Sequence, residues 1–203
     1  MDFLVAQLVI AVVAGYLFGA IPSAYLAGRI FRNADIRVLG DGNVGAENAY
    51  HQFGPKTGIG VGIADVGKGA LVVGVFQASG FPEGTVLAAG LAAVAGHNWP
   101  VYLHFRGGRG AATTIGVLLV TLFPASIAPV VIGLLLAIAK KGTTLACAAI
   151  FIILQPVVWV IGFPVYVSLY AVGLPVLIGL FHFYSVILPE YHRTGQMKLR
   201  PKG

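Results

Sequence analysis

Charge is what this sequence has least of. Only 10% of its 203 residues are Asp, Glu, Lys or Arg, whereas 58% are apolar and the mean hydropathy is +0.88. A soluble chain of this size needs more polar surface than that, so composition excludes a soluble globular protein and points to one embedded in lipid. Cysteine is almost missing too. Cys147 stands alone in an apolar run, which excludes an intrachain disulfide framework or a cysteine metal cluster and reads as packing. No spacing of His, Asp and Glu resembles a metal site, and no Ser-His-acid signature accompanies the polar stretches, so neither a metal nor a protein nucleophile is expected. No basic residue precedes Arg29, so the first apolar stretch lacks the charged start of a signal peptide and is expected to be a retained span. The apolar residues also lack the period-2 alternation of barrel strands. Helices must therefore satisfy the backbone inside the lipid, and the expected fold class is all-α, in one membrane domain over residues 1–203.

What the sequence does have is long apolar runs. A helical span needs roughly 20 apolar residues, and residues 3–28, 58–79, 84–105, 143–163 and 165–187 qualify. Residues 111–139 would make one overlong helix of about 43 Å at about 1.5 Å per residue, or two short segments broken near Pro124. Charge decides between these, because cytoplasmic loops collect Lys and Arg. Arg29, Arg32, Arg37 and Lys56 flank the first polar stretch, and Arg106 and Arg109 follow two spans later, so these loops share a side. Lys140 and Lys141, with Arg193, Lys198, Arg200 and Lys202, join that side only if residues 111–139 cross twice. The pattern predicts about seven transmembrane helices, two of them short, with the N-terminus outside and the C-terminus cytoplasmic. The small basic excess is thus read by location, as a basic cytoplasmic face with a functional role or as insertion topology alone, and no nucleic-acid partner is expected.

Two polar stretches interrupt the apolar runs. The first, DIRVLGDGNVGAENAYHQFG at 35–54, carries more small and hydrogen-bonding residues than a connector needs and suits a polar, anionic ligand at the membrane surface. The second runs from Gly96 to Thr114, and its core Arg106-Gly-Gly-Arg109-Gly110 directly precedes an apolar helix. Amides at a helix start, permissive glycines and two guanidinium groups make a phosphate cradle; a tight turn with topology-setting arginines is the plainer alternative. His97 and His104 could move a proton or donate to phosphate, or sit satisfied at the interface beside Trp99 and Tyr102. Asp65 and Lys68 share one helical face, as a structural ion pair or as part of a ligand site.

The order of these elements resembles the bacterial acyl-phosphate:glycerol-3-phosphate acyltransferases, the PlsY-type family. Four stretches carry the resemblance: GYLFGAIPSAYLAGR at 15–29, the stretch at 35–54, DVGKG at 65–69 and GHNWPVYLHFRGGRGAAT at 96–113. The resemblance implies a seven-helix membrane enzyme of the bacterial plasma membrane with cytoplasmic active-site loops. It implies transfer of an acyl group from acyl phosphate to the sn-1 hydroxyl of glycerol-3-phosphate, giving lysophosphatidic acid, without metal or cofactor. Acyl phosphate, glycerol-3-phosphate and membrane lipids are then the expected partners. The residues it implies for catalysis are Asn43, Asn48, His97, His182 and Ser185. Those implied for phosphate are Asp41, Gly42, Gly45, His51, Lys68, Arg106, Gly107, Gly108, Arg109 and Gly110.

Some of these positions depart from the family pattern GSGNxGATNxxR: Asp41 stands for the serine, Glu47 for the threonine and His51 for the arginine. Near the C-terminus Ser185 stands for an asparagine and Gln196 for a glutamate. Asp41 and Glu47 add negative charge to a loop expected to meet phosphate. A like-charge contact at about 4 Å with an effective dielectric near 20 costs about 4 kcal/mol, roughly three decades of affinity if uncompensated. A substrate-altered or non-catalytic lipid-binding paralogue is therefore a second reading, and a small transporter a third.

Overall fold

The computed structural model describes residues 2–139, 143–188 and 191–192, and every regular element among them is helical. Lys140, Lys141, Arg193, Gly195, Gln196, Lys198, Arg200 and Lys202 lie outside the described residues. The chain divides into two compact units, Met1–Thr121 and Leu122–Gly203.

The first unit contains α1 (Asp2–Gly19), α2 (Ser23–Arg32), α3 (Ala46–Phe53), α4 (Pro55–Ala78), α5 (Glu83–Asn98) and α6 (Ala111–Thr121). The expected first span of residues 3–28 is not one straight helix. Pro22 lacks an amide hydrogen and disfavours helical geometry at Ile21, so the helix ends at Gly19 and restarts at Ser23. Asn33 then closes α2 in the left-handed conformation (φ 48°), where its short polar side chain is tolerated. The stretch at 35–54, expected as a loop, ends in the short helix α3; Pro55 starts α4 at the first helical position, where its missing hydrogen costs nothing.

Small residues set the packing, because in lipid helices gain by close approach rather than by leaving water. Helix α1 lies on α5, with Gly15 against the backbone of Ala89 and Gly19 against that of Ala93. Helix α4 lies on α6, with Gly69 against the Thr113 carbonyl and Gly116 against the Val66 carbonyl. The large apolar side chains left exposed, such as Ile63, Leu71 and Val75 on α4, face outward as lipid-facing residues do.

The second unit contains α7 (Ile127–Ile138), α8 (Thr143–Ile161) and α9 (Val165–His182), the last running into a wider π turn at Phe183–Ile187. Residues 111–139 are two helices, α6 and α7, as expected from Pro124. Gly133 admits the Ile150 side chain between α7 and α8. Gln155 ties α8 to α9, its amide donating to the Ala171 carbonyl at 3.0 Å. Pro156 and Pro175 sit inside α8 and α9, as prolines do in membrane helices. Five helical stretches are long and apolar enough to cross a membrane, counting Phe3–Arg32 as one, and α6 and α7 are shorter apolar helices.

A Cβ at Gly69 or Gly116 would overlap backbone atoms of the facing helix, whereas Gly74 has nothing within 4 Å. Gly116→Val and Gly69→Val should each lower stability by about 1–3 kcal/mol or more, read as a drop in Tm in detergent, while Gly74→Val leaves Tm near that of the unmodified protein.

Candidate active site

The first polar loop is built around two aspartates. Asp35 caps the 3-10 turn Ile36–Val38, accepting from the Arg37 amide at 3.0 Å. It also accepts from Arg37 Nη2 at 2.7 Å and Arg29 Nη2 at 3.2 Å, and both guanidinium groups lie over the Tyr25 ring, at 5.0 and 5.2 Å from its centroid. The Arg37 side-chain hydrogen bond holds the Asp35 carboxyl down at about 2, and Asp35 in turn raises Arg37. Arg29 and Arg37, counted as part of a basic face, are therefore largely spent on one carboxylate. Arg32 likewise donates to the Phe53 carbonyl at 2.9 Å, tying the end of α2 to the end of α3.

The chain next turns sharply through Gly40 (φ 57°) and Gly42 (φ 70°), conformations that need glycine. Asp41 between them accepts from the Asn43 amide at 3.1 Å, fixing the turn that leads to Gly45 and α3. Asn48 is buried beneath this loop, and its amide nitrogen donates to the carbonyls of Leu39 and Asn43, both at 3.0 Å, and of Ile36 at 3.4 Å. Asn48, expected among the catalytic residues, thus donates its side-chain amide to the loop backbone.

The second loop packs against the first. The Gly108 amide donates to the His97 carbonyl at 3.1 Å. A Cβ on Gly108 would meet the His97 ring and, at 2.8 Å, the Val44 carbonyl of the first loop; one on Gly107 would meet the His97 carbonyl. Close backbone approach thus requires both glycines. Arg109 Nη2 donates to Asp41, forming an ion pair between the two loops. Gly110, at φ 82°, caps α6 by accepting from the Thr114 amide at 2.8 Å. The hydroxyls of Thr113 and Thr114 are buried in the first turn of α6, and the Asn98 Oδ1 is buried beside the loop; none has a hydrogen-bond partner among the described residues.

Beneath these loops lies a buried charged group. Lys68 Nζ is 3.0 Å from Asp65 Oδ1 and donates to the Ile21 carbonyl at 3.0 Å. His97 Nδ1 is 3.6 Å from the same Asp65 oxygen, so α4 and α5 meet here. All three residues are at most 6% exposed. Beside them a mostly apolar groove of about 580 Å³ runs between α2 and α4, from Lys56 and Thr57 to Ser23 and Ile21 at the helix break.

The structure therefore brings together Asp41, Gly42, Asn43, Gly45, Asn48, Asp65, Lys68, His97, Gly107, Gly108, Arg109 and Gly110 in the first unit. Arg106 is exposed, with its backbone amide on the Leu103 carbonyl at 3.2 Å. His51 is exposed on α3, edge-on to Tyr50 at 5.7 Å between centroids. Glu47 lies in the first turn of α3, where a carboxylate is favoured by the helix start. Asp41, expected from the sequence to add negative charge to the loop, is ion-paired with Arg109. His182 ends α9 and Ser185 lies in the π turn, both in the second unit. Sequence reasoning missed two backbone participants, the Val44 and Ile21 carbonyls. Pro22, which breaks the helix and frees the second of these, was the available signal.

The family profile described as Glycerol-3-phosphate acyltransferase matches residues 9–193. The chain is 45% identical over 172 residues to glycerol-3-phosphate acyltransferase 4 of Dehalococcoides mccartyi, covering 85% of this chain and 93% of that one. It is 38% identical over 151 residues to the glycerol-3-phosphate acyltransferase of a Synechococcus species, covering 74% and 71%. Its fold is similar to that of PlsY (YgiH), an integral membrane glycerol 3-phosphate acyltransferase, in its glycerol 3-phosphate form: TM-score 0.79, 28% identity, 96% of each chain. The lysophosphatidic acid form of that protein gives 0.75, again at 28% identity, over 94% of each.

Two outcomes follow from the buried charges and from Asp35. Lys68→Met leaves Asp65 buried without its cation and should cost about 3–5 kcal/mol; Asp65→Leu with Lys68→Met should recover much of the lost Tm, and a double variant no better than the single contradicts the pairing. Asp35 has a depressed pKa, so its contribution is complete above its usual value of 3.8 and fades as pH falls through about 2. The Tm difference between the unmodified protein and Asp35→Asn, about 1 kcal/mol in stability, should hold from neutral pH to about 4, narrow between about 4 and 2, and close below about 2.

Proposed function

Because the chain belongs to the glycerol-3-phosphate acyltransferase family, we infer that its two apposed polar loops hold the phosphate of glycerol-3-phosphate while an acyl group is transferred to the glycerol. The protein is a multi-pass membrane acyltransferase of phospholipid synthesis, and lysophosphatidic acid is its product. The observation that carries the placement is the seating of Gly107 and Gly108 on His97 beside Val44, with Arg109 reaching Asp41. That seating gathers backbone amides, a guanidinium group and the start of α6 at one end of the first unit, a combination suited to a phosphate.

The acyl donor is acyl phosphate, an activated mixed anhydride. The sn-1 hydroxyl attacks the acyl carbon, the new ester C–O bond forms, the bond to the phosphate oxygen breaks, and the hydroxyl proton leaves to the released phosphate or solvent. Positioning and charge stabilisation suffice for such a donor, so no protein nucleophile is required. Arg106, Gly107, Gly108, Arg109 and Gly110 take the phosphate, with Lys68 fixing the floor beneath them. Asn43, Gly42 and Gly45 shape the facing loop, and Asn48 positions it through the carbonyls it holds. His97 seats the glycine loop and faces Asp65. His51, His182 and Ser185 retain roles by resemblance. The groove between α2 and α4 suits an alkyl chain, with Lys56 and Thr57 at its polar end.

The two loops are cytoplasmic, with the N-terminus outside, and the membrane is the bacterial plasma membrane. Support for this comes from the basic residues of the loops and from the bacterial relatives.

Purified protein in detergent, given acyl phosphate and radiolabelled glycerol-3-phosphate, should form labelled lysophosphatidic acid. No transfer above a no-protein control sinks the reading and favours a binding paralogue. Gly108→Ala should lower kcat/KM about 100-fold by displacing the loop from His97, about 2.7 kcal/mol of barrier, whereas Gly67→Ala, with open space around it, should leave the rate within about twofold.

A further inference from the structure

We propose that Asp41 determines the phosphate affinity of this chain by standing in for phosphate on Arg109, so that glycerol-3-phosphate binds by exchange with an internal carboxylate. The proposal rests on the reading of the site given above. Both Asp41 oxygens are engaged: Oδ1 accepts from the Asn43 amide at 3.1 Å and Oδ2 accepts from Arg109. The two side chains are 25% and 18% exposed, so their attraction is screened less than that of a surface pair. Carboxylate and phosphate are the two anions a guanidinium fork fits, and a group already donating to one has fewer donors for the other.

The arginines beside the first loop do not offer an equivalent. Arg29 and Arg37 share Asp35, and Arg32 is turned to the Phe53 carbonyl. Arg109 is the guanidinium placed between the helix start of α6 and the first loop, and there the chain carries an aspartate where the family pattern has serine. A serine could keep the turn through its hydroxyl without presenting a charge to Arg109. Glu47 adds a second internal anion nearby in sequence, in the first turn of α3, where the helix start favours a carboxylate. The exchange is therefore assigned to Asp41. It keeps the two loops together before substrate arrives, and the arriving phosphate takes over the same guanidinium.

The test is direct binding of glycerol-3-phosphate by titration calorimetry to the full chain in detergent. Asp41→Asn keeps the oxygen that accepts from the Asn43 amide and removes the charge. It should tighten Kd about threefold to tenfold and lower KM for glycerol-3-phosphate in parallel, with kcat changing less than KM. Asp41→Ser, the family residue, should do the same and serves if the asparagine variant does not fold. In the Arg109→Gln background Asp41→Asn should bring no gain. An Asp41→Asn affinity that is weaker or within about twofold of the unmodified protein overturns the proposal, as does a gain that persists without Arg109. Because the readout is binding, a protein that binds glycerol-3-phosphate but transfers no acyl group contradicts the assigned function and leaves the exchange standing.

Discussion

The ammonium group of Lys68 organises the first unit. A lysine inside a membrane helix must find compensation, and this one finds it twice, in the Asp65 carboxylate one turn away and in the Ile21 carbonyl. The second partner exists because Pro22 interrupts the first span, and an interrupted helix in lipid leaves carbonyls that something must satisfy. The break and the buried charge thus answer one another. Asp65 then extends the group to His97 on α5, and His97 seats the glycine loop. Removing the charge would leave the buried Asp65 carboxylate with His97 alone beside it, while the Ile21 carbonyl would keep the Ser23 amide at 3.1 Å.

Above that floor, carboxylates have an uncommon part for a site that binds anions. Asp35 gathers two arginines and a tyrosine ring into a fixed corner, so those two positive charges are engaged within the protein. Asp41 holds Arg109 across the two loops. Each of these two carboxylates is thus partnered by arginine. Glycine has the complementary part: where Gly107 and Gly108 lie on His97, no side chain would fit.

The membrane class, the helical fold, the split of residues 111–139 and the two polar stretches were legible in the sequence, because lipid permits few solutions and each leaves a compositional trace. Asp65 and Lys68 were legible as a pair from their spacing of three, and Gly110 as the residue before a helix. The interruption at Pro22 and the helix α3 were not read, since the apolar run around Ile21 is continuous and the residues of α3 are mixed in polarity. The backbone partners of Asn48 were not read either, because sequence spacing does not reveal where a side-chain amide finds its acceptors.

By itself the sequence determined that this chain crosses a membrane, that its polar chemistry is confined to two stretches and that their order resembles one acyltransferase family. These properties depend on composition and on neighbours along the chain. Only the tertiary structure decided which polar groups remain for a ligand. Lys68 meets Ile21 across 47 positions and Arg109 meets Asp41 across 68, and such pairings follow from how helices pack through Gly69 and Gly116. A charge counts toward a site by what it faces, and what it faces is set by packing.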